Sequence, residues 1–368
     1  TSPNQHPADL CLLSDNRLLL VYGNRNKPYG VGAMISNDAG KTWESNRRFM
    51  IGWTSLNTDC GYPSAVRLDD GAAVIMYYSV GTSDISSDAM AIAVIDHEQN
   101  ILTDQTEWTR KGSLGITPKH PNDDYPMSDQ DNKGNWTKYE TMSDEFNGDE
   151  PNADKWTKKM YWWKGRQPAL FMEKNVIVND GKLHLIMQKE DIPEESKQQG
   201  YHDYSSAIML SKTKTCYGYF EVKAKPMNSA GSSSFWFQNE ELPNWFTEID
   251  VFEIGGKSKN YEYKYNMNCH VFQTPEEKRH WSIGGVWIAP WRLADDYHIY
   301  GLEWDEDWIK YYVDGVLVRK MKNTHWHQPL YMIFDSETMP DWFGMPEDAD
   351  LPSTYSIEYV RAWKKQPK

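Results

Sequence analysis

The segment FTEIDVFEI, residues 246–254, places three carboxylates inside an otherwise apolar strand. Because successive side chains of a strand point to opposite faces, Glu248 and Asp250 share one face, and Glu253, five residues beyond Glu248, falls on the other. One extra residue between Asp250 and Glu253, a β-bulge, restores the phase and puts all three carboxylates on one face. The sequence therefore predicts a bulge at this point.

Two glutamates on one face suit a retaining glycosidase, which needs one ionised and one protonated carboxyl group about 5–5.5 Å apart. Across the bulge the backbones of Glu248 and Glu253 lie about 13 Å apart at the ordinary strand rise, and side chains that lean inward close most of this gap. Asp250 raises the pKa of a neighbouring carboxyl by like-charge repulsion. Spacing alone does not assign the two roles. A solvated acidic edge strand is the alternative, but the intervening apolar residues are typical of a buried strand.

The sequence around this strand, from Lys138 onward, alternates short strand-like runs with turn signals. One example is the pair of apolar runs that flank Asn179-Asp180-Gly181, a turn that is typical of a β-hairpin. Long helical periods are nearly absent, and the chain is rich in rings, with 17 Trp and 22 Tyr. Many short strands around a Trp-rich interior predict an all-β fold, a β-sandwich of the jelly-roll kind.

The pattern Glu-x-Asp-x-x-Glu at residues 248–253 resembles the catalytic motif of glycoside hydrolase family 16 in its bulged form. Four further motifs resemble that family: SDEFNGDEPNADKW (143–156), YGYFEVKAK (217–225), SFWFQ (234–238) and YHIYGLEWDEDWIKYYVDG (297–315). The resemblance covers nearly all of residues 138–365. It implies a jelly roll with a substrate cleft, in which Glu248 is the nucleophile, Glu253 the acid/base and Asp250 the supporting carboxylate.

Two segments bear on the substrate, YWWKGRQPALF (161–171) and FDSETMPDWFG (334–344), and they resemble the agarase and porphyranase branch of that family. The first places Trp162 and Trp163 as a platform beside Arg166. A guanidinium fork suits a pair of sulfate oxygens, and stacking on a ring would hold it in place, so the segment resembles a porphyranase pocket for sulfated galactose. An ordinary salt bridge of Arg166 is the alternative. Neutral agarose could use the same platform without the cation.

His270 resembles a cleft histidine of the same branch, although a lone strand histidine is about as often a structural residue. Trp236, Trp287 and Glu337 are further candidate sugar contacts. The predicted activity is endo-acting hydrolysis of β-1,4 linkages in a red-algal galactan with retention, porphyran ahead of agarose and κ-carrageenan third. A non-catalytic galactan-binding module is an alternative of a different class, which would keep the platform but tolerate loss of the acid pair.

Residues 1–115 contain an internal repeat. The stretch PADLCLLSDNRLLLVYG (7–23) resembles PSAVRLDDGAAVIMYYS (63–79), with a proline, an apolar strand, a polar turn and a second apolar strand. The polar turns fall at residues 14–16 and 69–71. Each copy of the repeat predicts a β-hairpin.

Between the two hairpins, SNDAGKTW (36–43) contains a turn that can fold back onto its own backbone through the Asp38 side chain. This segment resembles the Asp-box of sialidase-like β-propellers. Residues 1–115 suffice for roughly two blades, whereas a propeller needs at least about four, so we expect a partial propeller segment. Relatives commonly carry an arginine where this chain has Gly32, and no sialidase arginine triad is expected.

The sequence predicts three parts: a partial propeller segment over residues 1–115, a linker over 116–137, and a catalytic domain over 138–368. The linker prediction rests on a stretch that is dense in Pro, Asp, Asn and Gly and has no apolar period.

The net charge of −14 argues against a nucleic-acid groove and an anionic membrane surface, so the predicted partner is a sulfated or neutral galactan. The sequence contains no run of about 18 apolar residues, so no transmembrane segment is predicted. The four cysteines lack metal-ligand spacing, and no metal or cofactor is predicted. Some members of the resembled family carry structural calcium, but no loop here has a repeated acidic ligand spacing.

The first residues carry no signal segment, and a polymeric substrate implies a secreted, periplasmic or cell-surface location.

Overall fold

A computed structural model of the chain describes residues 5–13, 17–26, 29–43, 49–52, 57–67, 73–79, 89–95, 101–102, 108–109, 122–289 and 291–366. The chain divides into two compact units, Thr1–Ile116 with the short stretch Ile288–Pro290, and Thr117–Trp287 with Trp291–Lys368. Among the described residues, no helix is long and apolar enough to cross a membrane.

The first unit contains two four-stranded antiparallel sheets, in each of which a strand pairs with the next one along the chain. Its strands are β1 (Gln5–Leu12), β2 (Leu18–Asn24), β3 (Gly30–Ser36), β4 (Phe49–Gly52), β5 (Cys60–Arg67), β6 (Ala73–Ser79), β7 (Ala89–Ile95), β8 (Ile101–Leu102) and β9 (Trp108–Thr109). Buried side chains of both sheets, such as Leu19, Val31 and Ile75, form one apolar core. The two predicted hairpins, β1–β2 and β5–β6, are present. Their turns at residues 14–16 and 69–71 lie outside the described residues.

The turn after β3 is organised by Asp38. Its Oδ1 accepts a hydrogen bond from the Thr42 backbone N–H at 2.8 Å, and its Oδ2 accepts one from the Thr42 hydroxyl at 2.6 Å. Ser36 Oγ also donates to Asp38 Oδ1 at 2.8 Å. These hydrogen bonds, led by that of the Thr42 hydroxyl, lower the pKa of Asp38. The turn therefore folds back on its own backbone through Asp38, as the sequence predicts.

The second unit is built from seventeen further strands and very little helix. Its helical segments are α1 (Glu194–Lys197) and three single 3-10 turns at Glu140–Met142, Glu173–Asn175 and Asp348–Asp350. Its strands are β10 (Trp136–Lys138), β11 (Trp156–Thr157), β12 (Ala169–Phe171), β13 (Val176–Asn179), β14 (Lys182–Lys189), β15 (Tyr204–Ser211), β16 (Gly218–Lys225), β17 (Ser232–Gln238), β18 (Phe246–Ile254), β19 (Lys264–Gln273), β20 (Trp281–Ser282), β21 (Gly285–Ile288), β22 (His298–Trp304), β23 (Trp308–Val313), β24 (Val316–Lys322), β25 (Tyr331–Glu337) and β26 (Ser353–Lys365).

These strands form two facing antiparallel layers. One has the order β13-β14-β26-β16-β22-β23-β24. The other has the order β15-β25-β17-β18-β19. Buried rings join the layers: the centroids of Phe220 and Phe237 lie 5.0 Å apart, and those of Phe252 and Tyr300 lie 4.8 Å apart. Tilted contacts of this kind stabilise a core beyond simple burial. The prediction of an all-β sandwich of the jelly-roll kind is confirmed.

The hairpin between β13 and β14 shows how local sequence sets the strand pairing. Asn179 pairs with Lys182, which leaves Asp180 and Gly181 as a two-residue turn. Both turn residues have positive φ, 48° and 67° respectively. Asp-Gly favours this geometry because aspartate tolerates the left-handed region and glycine has no Cβ to clash there. The predicted hairpin is present.

Strand β18 contains the predicted bulge. Two consecutive residues of β17 pair with Asp250 and Phe252, so Val251 is the extra residue. The pairing of β18 with β19 shifts at the same place, between Asp250 and Glu253. The bulge brings Glu253 into phase with Glu248 and Asp250.

Residues 122–137, the described part of the predicted linker, belong to the second unit and pack against its strands. Met127 lies in an apolar cluster with Ile299 and Tyr359, and its backbone N–H donates to the Glu221 carboxylate at 3.0 Å. Trp136 begins β10, which pairs with the end of β26. Met127 and Trp136 are thus buried anchors in a segment whose other side chains are mostly exposed or half-buried, and the division at residues 116–137 stays a prediction. Residues 116–121 lie outside the described residues.

Candidate active site

A cleft of about 1040 Å³ opens on the layer that contains β17, β18 and β19. Alternate residues of these strands form its floor, since every second side chain of a strand points the same way. Loops around residues 162–167 and 339–342 form its walls. The side chains that line the cleft include Trp162, Trp163, Arg166, Trp236, Gln238, Glu248, Glu253, Asn268, His270, Phe272, His280 and Trp342.

The acidic trio of β18 lies at the floor of this cleft. Glu248 Oε2 accepts a hydrogen bond from Gln238 Nε2 at 2.5 Å. No hydrogen bond joins the Glu253 carboxylate to another described residue, although Glu253 lines the cleft. Asp250 is 4% exposed and lies behind the two glutamates. The two cleft carboxyl groups therefore differ in their hydrogen bonds. Glu248 accepts one from Gln238, and Glu253 accepts none from the residues that the structure describes.

Burial dominates the protonation of these groups. Burial, reinforced by repulsion from Glu253, raises the pKa of Glu248 to about 8, against the opposing effect of Gln238 and Arg166. Burial raises the pKa of Glu253 to about 7 and that of Asp250 well above its ordinary value. Because the groups repel one another, they titrate jointly, and the cluster retains at least one proton near neutral pH. A protonated carboxyl beside an ionised one is the condition that two-carboxylate hydrolysis requires.

His270 of β19 lies against the acidic trio. Its Nε2 is 3.5 Å from Asp250 Oδ2 and 3.8 Å from Glu248 Oε1. Its Nδ1 is 3.1 Å from His280 Nε2, and Asn268 Nδ2 is 2.9 Å from its Nε2. Burial and the neighbouring His280 lower the pKa of His270 to about 4. The imidazole is therefore neutral at ordinary pH: its Nε2 accepts from the Asn268 amide, its Nδ1 faces His280, and it lies beside the carboxyl groups without neutralising their charge.

Arg166 supplies a cation at the cleft wall. Its Nε donates to Glu337 Oε2 at 3.0 Å, and its side chain is 51% exposed while that of Glu337 is 4% exposed. Burial opposes ionisation, yet Glu337, Glu253 and Asp335 together raise the pKa of Arg166. Its two terminal nitrogens make no hydrogen bond with other described residues. The expected stacking of Arg166 on a ring is not found in the described part of the chain; the carboxylate of Glu337 holds it instead.

An aromatic platform adjoins this cation. Trp162, 39% exposed, stacks on Tyr331 with ring centroids 5.8 Å apart and planes at 30°. Trp163 meets Trp236 edge to face, with centroids 6.0 Å apart. Trp236 is itself fixed by a hydrogen bond from its Nε1 to Asp335 Oδ2 at 2.8 Å. Each ring therefore has an aromatic neighbour that restricts its orientation.

Glu248, Asp250 and His270 are the one group among the described residues that could chelate a metal ion, with a ligand atom from each within 4.8 Å of the others. Metal ligands bind in their deprotonated forms. Burial favours the neutral forms of both carboxyl groups here.

Residues 136–365, more than half of the chain, match the family model described as the GH16 domain of β-porphyranases A to D. The chain belongs to this glycoside hydrolase family. β-Porphyranase E of Zobellia galactanivorans is 32% identical to this GH16 chain over 254 residues, which are 63% of the chain and 89% of the relative. The crystal structure of porphyranase B from the same organism, 28% identical, gives a TM-score of 0.55 and covers 62% of this chain and 92% of that one. The crystal structure of a κ-carrageenase from Z. galactanivorans is 26% identical to this chain. It gives a TM-score of 0.53 and covers 63% of this chain and 96% of that one.

Most of the residues predicted for the site meet in one cleft of this GH16 domain. Asp250 and Glu337 lie directly behind the lining, 4% and 3% exposed. The predicted residues that line the cleft are Glu248, Glu253, Trp162, Trp163, Arg166, Trp236 and His270. Their catalytic and sugar-binding roles stay predictions.

Trp287 corrects the predicted set of sugar contacts. It is 1% exposed and does not line the cleft. Its ring packs edge to face against Tyr265 and Trp291, with centroids 6.3 Å and 5.5 Å apart. A ring covered in this way offers no face to a sugar, so Trp287 is a packing residue of the GH16 domain.

The residues of the site that escaped sequence reasoning include Gln238, Asn268, His280 and Asp335. Three of them stand two positions from a predicted residue on the same strand, and alternation alone would have placed them on the cleft face. His280 lies in the loop before β20 and reaches the cleft only through the tertiary fold, so no local pattern marks it.

Proposed function

We propose that the GH16 domain is an endo-acting retaining glycoside hydrolase that cleaves β-1,4 linkages of a red-algal galactan, with porphyran as its substrate. The observation that carries the proposal is the acid pair of β18 in one cleft with Arg166 and a tryptophan platform, in a domain whose relatives are named β-porphyranases. The reaction class follows from the acid pair, and the substrate follows from the cation beside the platform.

In this proposal Glu248 is the nucleophile and Glu253 the acid/base. The amide donor of Gln238 favours the ionised form of Glu248. Burial still holds the pKa of Glu248, about 8, above that of Glu253, about 7, so the order of the two roles rests on the Glu-x-Asp-x-x-Glu motif and not on these pKa values. Glu248 attacks the anomeric carbon as Glu253 protonates the leaving oxygen; Glu253 then deprotonates the water that hydrolyses the glycosyl-enzyme. Asp250 and neutral His270 lie beside the nucleophile, with His270 Nε2 3.8 Å from Glu248 Oε1, and would restrict its orientation.

The substrate assignment rests on the geometry of Arg166. Glu337 occupies the Nε side of the guanidinium, and the two terminal nitrogens remain available to a ligand in the cleft. A pair of sulfate oxygens matches that edge, since a guanidinium forms two parallel hydrogen bonds with such an anion. The exposed face of Trp162 would stack on the adjoining sugar.

Neutral agarose is the second candidate substrate, and one observation favours it. The ion pair with Glu337 already compensates the charge of Arg166, so the cleft carries little excess positive charge for an anionic chain. κ-Carrageenan is third, and a galactan-binding module without activity is the alternative of a different class. A galactan polymer cannot enter a cell intact, and we propose a secreted, periplasmic or cell-surface location.

For residues 1–115 we propose a partial sialidase-like β-propeller segment. Its two four-stranded sheets and the Asp38 turn support the proposal. The catalytic domain would then comprise residues 138–368, with the residues from 122 packed beside it.

The test compares wild type, Glu248→Gln and Arg166→Leu on porphyran, agarose and κ-carrageenan, with the oligosaccharide products identified by mass spectrometry. We expect wild type to release sulfated oligosaccharides chiefly from porphyran and Glu248→Gln to release none. Arg166→Leu should lose about tenfold or more in kcat/KM on porphyran and much less on agarose, because a charge-assisted hydrogen bond contributes about 1.5–3 kcal/mol.

Two results would change the proposal. Cleavage of agarose alone would keep the acid pair and reject the sulfate assignment. Polymer binding without cleavage by wild type would favour the binding-module alternative.

A further inference from the structure

Gln238 stands between the platform and the acid pair. The Trp162 indole donates from Nε1 to Gln238 Oε1 at 3.4 Å. Gln238 in turn donates from Nε2 to Glu248 Oε2 at 2.5 Å. Gln238 is 8% exposed and Trp162 is 39% exposed, so both hydrogen bonds are only partly shielded from water. A continuous path of two hydrogen bonds therefore runs from an exposed ring to a buried carboxyl group.

Donor and acceptor chemistry fixes the direction of this path. An indole N–H can only donate, so the carbonyl oxygen of Gln238 has to face Trp162. The amide group of Gln238 then faces Glu248, and an amide N–H can only donate. Gln238 is thus oriented by Trp162 to stabilise the ionised form of Glu248, and a reversed amide would leave two donors facing each other at Trp162.

We propose that Gln238 is a positioning residue that couples the Trp162 platform to the orientation and ionisation of Glu248. The inference rests on the proposed function, in which Trp162 stacks on a sugar and Glu248 is the nucleophile. A sugar stacked on Trp162 removes water from both hydrogen bonds and strengthens them, because hydrogen bonds gain strength in a low dielectric. Occupation of the platform would then favour the ionised form of Glu248. Gln238 donates to Glu248 Oε2, while Glu248 Oε1 accepts no hydrogen bond from the described residues.

Several titratable groups also face Glu248 and would shape any pH profile. They are Asp250 and Glu253 on its own strand, His270 on β19, Asp335 and Glu337 on β25, and Arg166 in the cleft wall. All of them stay in place when only Gln238 or Trp162 is changed. A difference between such variants therefore reports the path through Gln238.

The experiment is a double-mutant cycle of Gln238→Leu and Trp162→Phe, read as the pH dependence of kcat/KM on porphyran. Trp162→Phe keeps a stacking ring, although a smaller one, and removes the indole donor. We expect the acidic limb to move to higher pH in Gln238→Leu, with about a tenfold loss of kcat, and to move less in Trp162→Phe. The double variant should match Gln238→Leu, because Trp162 acts through Gln238.

Trp342→Phe is the matched control. Trp342 also lines the cleft and is 40% exposed, against 39% for Trp162, but it makes no hydrogen bond with Gln238. Its substitution should leave the acidic limb in place. The proposal is overturned if the two substitutions add independently, or if neither moves the acidic limb while both proteins stay folded by circular dichroism.

An inactive wild type would reject the proposed function and leave this coupling measurable. The Glu248 carboxyl carbon, assigned in 13C-labelled protein by its loss in Glu248→Gln, can be titrated by NMR. The coupling predicts a higher pKa of Glu248 in Gln238→Leu and in Trp162→Phe than in wild type. Equal values in all three proteins would reject it. If Gln238→Leu does not fold, Trp162→Phe at the cleft surface still reports the same path.

Discussion

Single side chains in the cleft are tuned mainly by burial. Burial raises the pKa of Glu248, Glu253 and Asp335 to about 8, 7 and 6 respectively. Arg166 opposes all three shifts, but one guanidinium cannot keep three buried carboxyl groups ionised. The site therefore holds protons that exposed acids would have lost, and one of these protons would serve the proposed general acid.

The neighbouring imidazoles allow a test at this scale. In His280→Phe, which keeps a ring beside Phe272, we expect the pKa of His270 to rise from about 4 and to stay below its ordinary value of 6.5. Burial, the larger cause of the low value, remains, while the contribution of His280 is lost. NMR titration of the His270 ring nitrogens measures the change.

His325→Phe is the control for that titration, since its ring contacts Trp281 and Trp326 rather than His270. It should leave the pKa of His270 unchanged. A pKa of His270 that is the same in His280→Phe as in wild type would contradict the account of the pair.

At the scale of the element, the bulge of β18 decides which face carries the acids. Val251 is the extra residue, and the pairing with β17 continues in register on both sides of it. The three acids share a face because of this insertion, and a regular strand of the same sequence would bury Glu253 in the sandwich core.

Two single-residue deletions test this claim. Deletion of Val251 converts the bulge to a regular strand and leaves Glu248 and Glu253 on the cleft face, so we expect a folded protein with reduced but measurable activity. Deletion of Ile249 moves Glu248 to the opposite face and should abolish activity. Thermal unfolding and the initial rate on porphyran measure both effects. Equal activity in the two variants would show that the phase of β18 does not control the site.

The sequence predicted these elements unevenly, for physical reasons. The bulge could be predicted because the three acids of β18 cannot share one face of a regular strand. The β13–β14 turn could be predicted because Asp180-Gly181 favours a two-residue hairpin turn. The burial of Trp287 did not follow, because a ring in a short strand has the same sequence pattern whether it faces a cleft or a core. Asp335 was missed although it stands two positions from Glu337 on β25, whereas His280 could not be found, because its loop reaches the cleft only through the tertiary fold.

At the scale of the whole molecule, a buried carboxylate joins residues 122–137 to the sandwich. Glu221 Oε2 accepts the Met127 backbone N–H at 3.0 Å, and Glu221 Oε1 accepts the Tyr359 hydroxyl at 3.3 Å. Burial raises the pKa of Glu221 from 4.5 to about 7. The sequence did not reveal this link, because Met127 and Trp136 are isolated apolar residues in a segment with a linker composition.

This raised pKa predicts a pH-dependent stability. A carboxyl whose pKa is higher in the folded state contributes stability that is complete below pH 4.5 and is lost as pH rises through about 7. The loss is about 3 kcal/mol at 1.36 kcal/mol per pKa unit. Glu221→Gln carries no charge to bury. The Tm of this variant minus the Tm of wild type should therefore increase as pH rises from 5 to 8. Calorimetry measures this gain, and a constant difference in Tm across the range would contradict it.

The central claim is that the carboxyl pair of β18 hydrolyses a galactan by double displacement. Proton NMR of the reducing ends formed in the first minutes of porphyran cleavage by the wild-type protein tests it most directly. The account predicts that the β anomer appears first and that the α anomer follows by mutarotation, because two inversions restore the starting configuration. If the α anomer appears first, a single displacement operates and Glu248 is not a nucleophile.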